Sequence, residues 1–295
     1  MLRTQLRLSL LALPAAGLLL AACGAPADGG AAAPGAPATG AATTSASCAK
    51  ADLQLTTPGT LTLGTDKPAY PPWFVDDDPS NGKGYESAVG YAIAQQLGFT
   101  KEEVTWVDVP FNTAIAPGPK SFDLDLNQIS ISDERRQAVD FSSGYYDVTQ
   151  TVITYKGSPI EGKTAVADLA SAKLGAQVGT TSYNAITQQI KPTQTPGVYD
   201  TNDLAVQALK NRQIDGIVAD LPTAFYMTAA QLDDGVIVGQ LPQVGQAPEQ
   251  FGAVLDKGSP LTPCISQAVD ALRADGTLDR LEQEWLAKQG APDLS

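Results

Sequence analysis

The sequence predicts an α/β protein in which mostly parallel sheets carry helices on their faces. Between residues 174 and 238, short apolar runs rich in Val and Ile alternate with amphipathic segments, the rhythm of β–α–β units. A length of 295 residues suits about two domains. Hydrophobic residues make up 43% and charged residues 17%, a balance that builds packed cores.

Taken in chain order, 61–65 alternates as Leu-Thr-Leu-Gly-Thr and reads as a strand. Val89, Ile93 and Leu97 give 87–97 a helical stripe, and Gly98 suits its C-terminus. Strands follow at 104–109 and 122–127. Residues 132–138 read as the start of a helix with Ser132 as N-cap. Residues 151–155 form a strand. Then come strand 174–178, helix 181–190, strand 198–199, helix 202–211, strand 216–219, helix 222–230 and strand 236–238. After an apolar run at 251–255, helices are expected near 260–275 and 277–288, ending at Gly276 and Gly290.

The first 22 residues read as an export signal, with Arg3 and Arg7 ahead of a short apolar run broken by Pro14 and Gly17. Leu20-Ala21-Ala22-Cys23 resembles the lipobox at which bacterial lipoproteins are cleaved and lipidated, so Cys23 is expected to carry an N-terminal lipid anchor. Residues 23–47 are almost entirely Ala, Gly, Pro, Ser and Thr, and read as a disordered tether spanning roughly 25–30 Å. No other stretch approaches the ~20 apolar residues of a membrane span. With Cys23 on lipid, Cys48 and Cys264 remain as an even pair in an oxidising compartment and are expected to form a disulfide. Two separate buried thiols are the alternative. The lack of any His excludes Ser-His-Asp and Cys-His hydrolysis and His-ligated zinc. A net charge of −13 argues against nucleic-acid binding, which needs a basic face.

Five strings in order then carry a resemblance. Gly64-Thr65-Asp66 precedes Tyr70-Pro71-Pro72-Trp73, and Gly84-Tyr85-Glu86 opens the first helix. Ile131-Ser132-Asp133-Glu134-Arg135 is followed by Val139-Asp140-Phe141-Ser142 and Tyr145-Tyr146. Gly179-Thr180-Thr181 and Asp215-Gly216 with Asp220 complete the set. Over roughly 61–286 the chain resembles the solute-binding proteins of bacterial ABC importers, specifically the polar amino-acid binding family. The resemblance implies a type II periplasmic-binding-protein fold, with two lobes joined by two crossing strands. Lobe one would be 48–148 plus 249–295, and lobe two 149–248. It further implies that the protein takes an amino acid between its lobes and presents it to a membrane permease; a monomer that needs no cofactor is expected.

By the same resemblance Arg135 grips the ligand's α-carboxylate, which suits the planar fork of a guanidinium. An arginine in the first turn of a helix is also out of place unless an anion sits there. Thr181 and Ser130 add polar contacts to that carboxylate, and Gly179 permits close backbone approach. Asp220 either accepts from the ligand's ammonium or caps the helix that starts near Pro222. Tyr70 and Trp73 either wall the pocket or pack in the core. Asp66 and Glu86 match positions that face the ligand side chain, and two acids there favour a basic or amide side chain over an acidic one. The chain departs from the family pattern at Ala88, where a second Asp is usual, and at Asn127-Gln128, where small residues are common. Gln128 would narrow the cleft or bond the ligand. A sensory binding protein is the first alternative. A dehydratase-like enzyme using Glu86 or Asp66 as proton donor is the second.

Overall fold

The computed structural model describes residues 47–245, 247–286 and 290–295. The export signal, Cys23 and the tether up to residue 46 lie outside the described residues.

Two five-stranded sheets form the frame. The first contains β1 (Leu61–Thr65), β2 (Val104–Asp108), β3 (Leu124–Asp125), β4 (Asp140–Val148) and, from the far end of the chain, β10 (Glu249–Leu255), in the order β2-β1-β3-β10-β4. β1 runs parallel to β2 and β3, whereas β10 is antiparallel to both β3 and β4. The second contains β5 (Gln150–Tyr155), β6 (Leu174–Gln177), β7 (Gly197–Tyr199), β8 (Gly216–Asp220) and β9 (Gly235–Gln240), in the order β7-β6-β8-β5-β9. There β6 is parallel to β7 and β8, and β5 is the reversed strand. Each sheet is therefore mixed, with a single strand against the rest.

Helix α1 (Tyr85–Gln96) packs on the first sheet through Tyr85, Val89 and Ile93, an i, i+4 stripe buried with Trp73 and Phe251. It starts two residues earlier than its apolar period indicates. Gly84 precedes it at φ 94°, and a Cβ there would lie 2.5 Å from the Trp73 carbonyl oxygen, so only glycine fits. Gly98, at φ 83°, ends the helix as expected, with Phe99 N–H donating to Ala94 O. A short α2 (Phe111–Ile115), with α6 (Thr262–Ala274) and α7 (Thr277–Trp285), belongs to the same lobe. The second sheet carries α3 (Thr181–Ala185), α4 (Asn202–Lys210) and α5 (Leu221–Tyr226). Both α3 and α5 run on into a wider turn, at Ile186–Ile190 and Met227–Gln231, so the expected helices are present but not uniformly α.

The segment expected as a helix at 132–138 is only a 3-10 turn, Arg135–Gln137. Ser132 still caps it, its Oγ accepting from Arg135 N–H at 3.2 Å, but β4 begins at Asp140 and leaves room for one turn. The strand expected at 122–127 is confined to Leu124–Asp125, flanked by single bonds from Asp123 and Leu126 N–H to β1.

The chain passes between lobes at Thr149 and again between Gln240 and Glu249, where Val148 pairs with Glu249 and Thr151 with Gln240. The tail departs from the expectation that 249–295 stays with lobe one. Leu294 is buried in the second core, Leu294 N–H donates to Gln240 O at 2.9 Å, and Asp293 bridges to β9. Gly239 makes room for it, since a Cβ there would meet Pro292 O at 2.7 Å.

Cys48 and Cys264 are joined by an S–S bond of 2.01 Å, fastening the start of the described chain to α6. Closing a 216-residue separation removes up to ~5 kcal/mol of chain entropy from the unfolded state, and real bridges deliver about 2–5. Replacing both cysteines by serine is expected to lower unfolding free energy within that range by urea titration, with ligand affinity changed less than about threefold.

Candidate functional site

The carboxyl ends of strands from both sheets face one another, the usual place for a ligand in open α/β sheets. A cavity of about 130 Å³ lies between them, roughly ten times the space one water needs. Asp66 follows β1, Asn127, Gln128 and Ser130 follow β3, and Arg135 comes from the turn before β4. From the second lobe Gln177 ends β6, Thr181 opens α3, Asp203 sits in the first turn of α4, and Asp220 ends β8.

Arg135 is buried at 9% exposure, and desolvation pulls its pKa down. Nη1 donates to Ser130 O at 2.6 Å and Nη2 crosses to Gly179 O at 2.8 Å. The guanidinium also lies 5.5 Å from the Phe111 ring centre. Among the described residues it has no ion pair. Gly179, at φ 73°, thus supplies a carbonyl acceptor in a backbone conformation that favours glycine. Ser130 is held by backbone bonds on either side, Gly252 N–H to Ile129 O and Ile131 N–H to Gln250 O. Its Oγ meets Thr181 Oγ1 across the cleft at 3.2 Å. The capping role next to it falls to Thr180, whose hydroxyl accepts from Tyr183 N–H.

Asp220 makes no side-chain cap bond, although it occupies the N-cap position of α5. Its Oδ1 instead accepts from Gln150 Nε2 at 2.9 Å. Burial, with Glu249 close by, pushes its carboxyl up to about 8. Asp66 lines the cavity, accepts from Phe111 N–H at 3.0 Å, and is raised by burial. Asp215, the other acid of that motif, is structural and accepts from Lys173 N–H.

Tyr70 closes the mouth of the cavity: its hydroxyl donates to Asp203 of the other lobe, and its ring lies 5.5 Å from that of Tyr226. Trp73 borders a smaller adjoining recess but is 2% exposed and packs edge-on to Tyr85, Tyr146 and Phe251. Its indole N–H reaches Thr223 Oγ1 of the second lobe at 3.0 Å. Glu86 departs from its expected place. It is fully buried behind the cavity and accepts from Tyr145 OH, Gln128 N–H and Gln128 Nε2. Burial outweighs those bonds and pushes it up to about 7.

Sequence reasoning passed over Gln150, the first residue of β5. Its Nε2 donates to Asp220 and lies 3.3 Å from Thr181 Oγ1 and from Glu249 Oε2, while its Oε1 accepts from Ser182 Oγ at 2.7 Å. One buried amide thereby sets both second-lobe groups at the point where the lobes join. A polar residue opening an apolar strand was the available signal. Asp203 and Thr223 were also missed, because their partners lie in the opposite lobe.

The family model of the bacterial extracellular solute-binding proteins, family 3, matches residues 61–288. A probable histidine-binding protein of Campylobacter jejuni is 31% identical over 80% of this chain and 88% of its own length. The L-arginine-binding protein of Pseudomonas aeruginosa is 27% identical over 80% of this chain and 94% of its own. Among solved structures, an ancestral arginine-binding protein bound to arginine superimposes with a TM-score of 0.62 at 28% identity, covering 77% of this chain and 98% of that one. The ancestral amino acid-binding protein AncCDT-1, a precursor of cyclohexadienyl dehydratase, gives the same TM-score of 0.62 and 28% identity, over 77% and 95%. The chain belongs to the bacterial extracellular solute-binding proteins, family 3.

Proposed function

We propose that the protein captures a polar or basic amino acid between its lobes and presents it to the permease of an ABC importer. One observation carries the ligand class. A buried guanidinium, Arg135, and a half-buried, desolvated carboxyl, Asp220, line one cavity without forming an ion pair with each other. The guanidinium is costly to leave unpaired there, and the carboxyl avoids the same cost only by holding a proton. A zwitterion offers a carboxylate to the first and an ammonium to the second, and one molecule then offsets both costs.

Arg135 comes from the first lobe and Asp220 from the second, so such a ligand favours the closed arrangement over an open one. Ser130 and Thr181 meet at the carboxylate end, while Asp66, Asp203 and Asp220, once an ammonium has displaced the Asp220 proton, outnumber Arg135 and Lys67 around the cavity. That charge excess supports a basic side chain over an acidic one. Relatives named for arginine, histidine, cystine and lysine/arginine/ornithine binding accord with this range. Placement outside the cytoplasm, held to the membrane by a lipid on Cys23, completes the reading, and a binding role is favoured over catalysis. Of the two acids that a dehydratase-like activity would draw on, Glu86 lies behind the cavity with both oxygens on Tyr145 and Gln128, and Asp66 lines the cavity while accepting from Phe111 N–H.

The protein should first be unfolded and refolded to strip carried ligand, then titrated calorimetrically with the twenty amino acids. At least one polar or basic amino acid is expected to bind, and Arg135→Ala is expected to weaken it about a hundredfold or more, since a charge-assisted bidentate contact is lost. Silence across the panel from folded protein, or unchanged affinity in Arg135→Ala, would count against the reading.

Asp220 gives a pH test. Its folded pKa of about 8 stands above the ordinary value near 4, so the ligand-free native state holds a proton there that the unfolded chain has lost. Stability of the ligand-free protein therefore falls as pH climbs through that window, and Asp220→Asn flattens the fall. An arriving ammonium favours the carboxylate. Binding is thus expected to release a proton below pH 8 and to tighten by up to about tenfold per pH unit from 6 toward 8. Calorimetry in buffers of different ionisation enthalpy reads the released proton, and Asp220→Asn should abolish it.

A further inference from the structure

We infer that Gln128, held in one orientation by the buried Glu86, selects the ligand's side chain by presenting a carbonyl oxygen to it; this rests on the amino-acid reading above. Gln128 lines both the main cavity and the adjoining recess. Its backbone lies in the left-handed region at φ 49°, a conformation that a non-glycine residue adopts only under local constraint. The constraint is Glu86, whose carboxylate takes both the backbone N–H and the side-chain Nε2 of Gln128. Tyr145 OH fills a further acceptor site on the same carboxylate.

An ionised carboxylate accepts and never donates. Glu86 therefore captures the NH2 end of the Gln128 amide and repels its oxygen, so the carbonyl is the end left for the cavity. Among the described residues Gln128 Oε1 accepts no hydrogen bond and is not a fully buried orphan, and the same holds for Asn127 Oδ1, whose Nδ2 is the enclosed atom. With the Asp66 carboxylate beside them, these oxygens make the first-lobe wall a set of acceptors. Lys67, the other cation on this wall, turns its Nζ to Asp77, accepted by the Asp77 carbonyl at 2.7 Å. A side chain that only donates, such as a guanidinium or an ammonium, satisfies this wall. A carboxamide leaves its own oxygen facing oxygens, and a carboxylate is repelled.

Glu86 is fully buried and lines neither the cavity nor the recess, so it is a positioning residue acting through Gln128. The test compares Kd for L-arginine, L-lysine, L-glutamine and L-glutamate by calorimetry at pH 8, where Glu86 is ionised, on the refolded full chain. The wild-type protein is expected to prefer arginine or lysine to glutamine by at least about tenfold, and to bind glutamate weakest. Gln128→Met keeps the length, removes the carbonyl, and is expected to cut the preference for cations about tenfold. Glu86→Gln frees the amide to turn and should lower the same preference. In a Gln128→Met background, adding Glu86→Gln should change it less than about twofold, an outcome that a merely structural role for Glu86 would not produce.

A cation preference unchanged within threefold in Gln128→Met would overturn the inference while leaving amino-acid capture intact, as would a wild-type preference for glutamine or glutamate. Additive effects in the double variant would overturn the role of Glu86. Absence of binding to any amino acid by folded wild-type protein would overturn the underlying reading and this inference together. If Glu86→Gln fails to fold, Gln128→Met alone decides the role of Gln128, and Glu86→Asp, too short to hold the side-chain amide, replaces it in the cycle with the same expectations.

Discussion

A guanidinium held in the interior by two carbonyl oxygens and an aromatic ring, with no ion pair among the described residues, is the constraint around which the cleft is organised. Arg135 spans the two lobes by bonding Ser130 O on its own side and Gly179 O on the other. Those carbonyls orient the charge without neutralising it. The net positive charge is left for whatever enters the cavity, and Asp220, protonated in the ligand-free protein, becomes the counter-charge to an arriving ammonium. The first sheet holds Ser130 beside β10, and the second brings Gly179 to the end of β6, so both frames are needed to place one side chain.

Behind these charged groups sits a layer of neutral amides and hydroxyls with little room to move. Gln150 fixes Asp220, approaches Thr181 and reaches Glu249, all from the residue that opens the first strand past the crossing. Glu86 and Tyr145 do the equivalent work behind Gln128. Trp73 to Thr223 and Tyr70 to Asp203 fasten the lobes on the other side of the cavity. The closed arrangement therefore rests on several protein–protein contacts as well as on any ligand, and the free-energy gap that a ligand must supply is correspondingly smaller.

Much of this was legible in the sequence where local chemistry decides the outcome. Gly98 ends α1 because the chain must turn left-handed there, and Arg135, Thr181 and Asp220 stand in strings whose order marks the fold. What could not be read depends on the partner surface. β4 is nine residues long yet was not assigned, because its burial follows no alternation: residues on both faces are covered. Glu86 reads as a cleft acid by position, but with the first turn of α1 buried its side chain lies behind the cavity. Gln150 is one glutamine among many until the two lobes bring four polar groups to it. The helix expected at 132–138 failed for a reason of length, since β4 starts too soon to admit more than one turn.

The tail gives the molecule a third rope across its waist. Trp285 is packed with the first core and Leu294 with the second, so the chain crosses once more after the two strand crossings. Two crossings alone leave a clamp free to twist as well as swing. A third, anchored at Gln240 and Thr164, restrains the twist. Opening would then resemble the lid of a box on a broad hinge more than a pair of beads on two strings, so a ligand meets the second lobe in nearly one orientation each time the lid comes down.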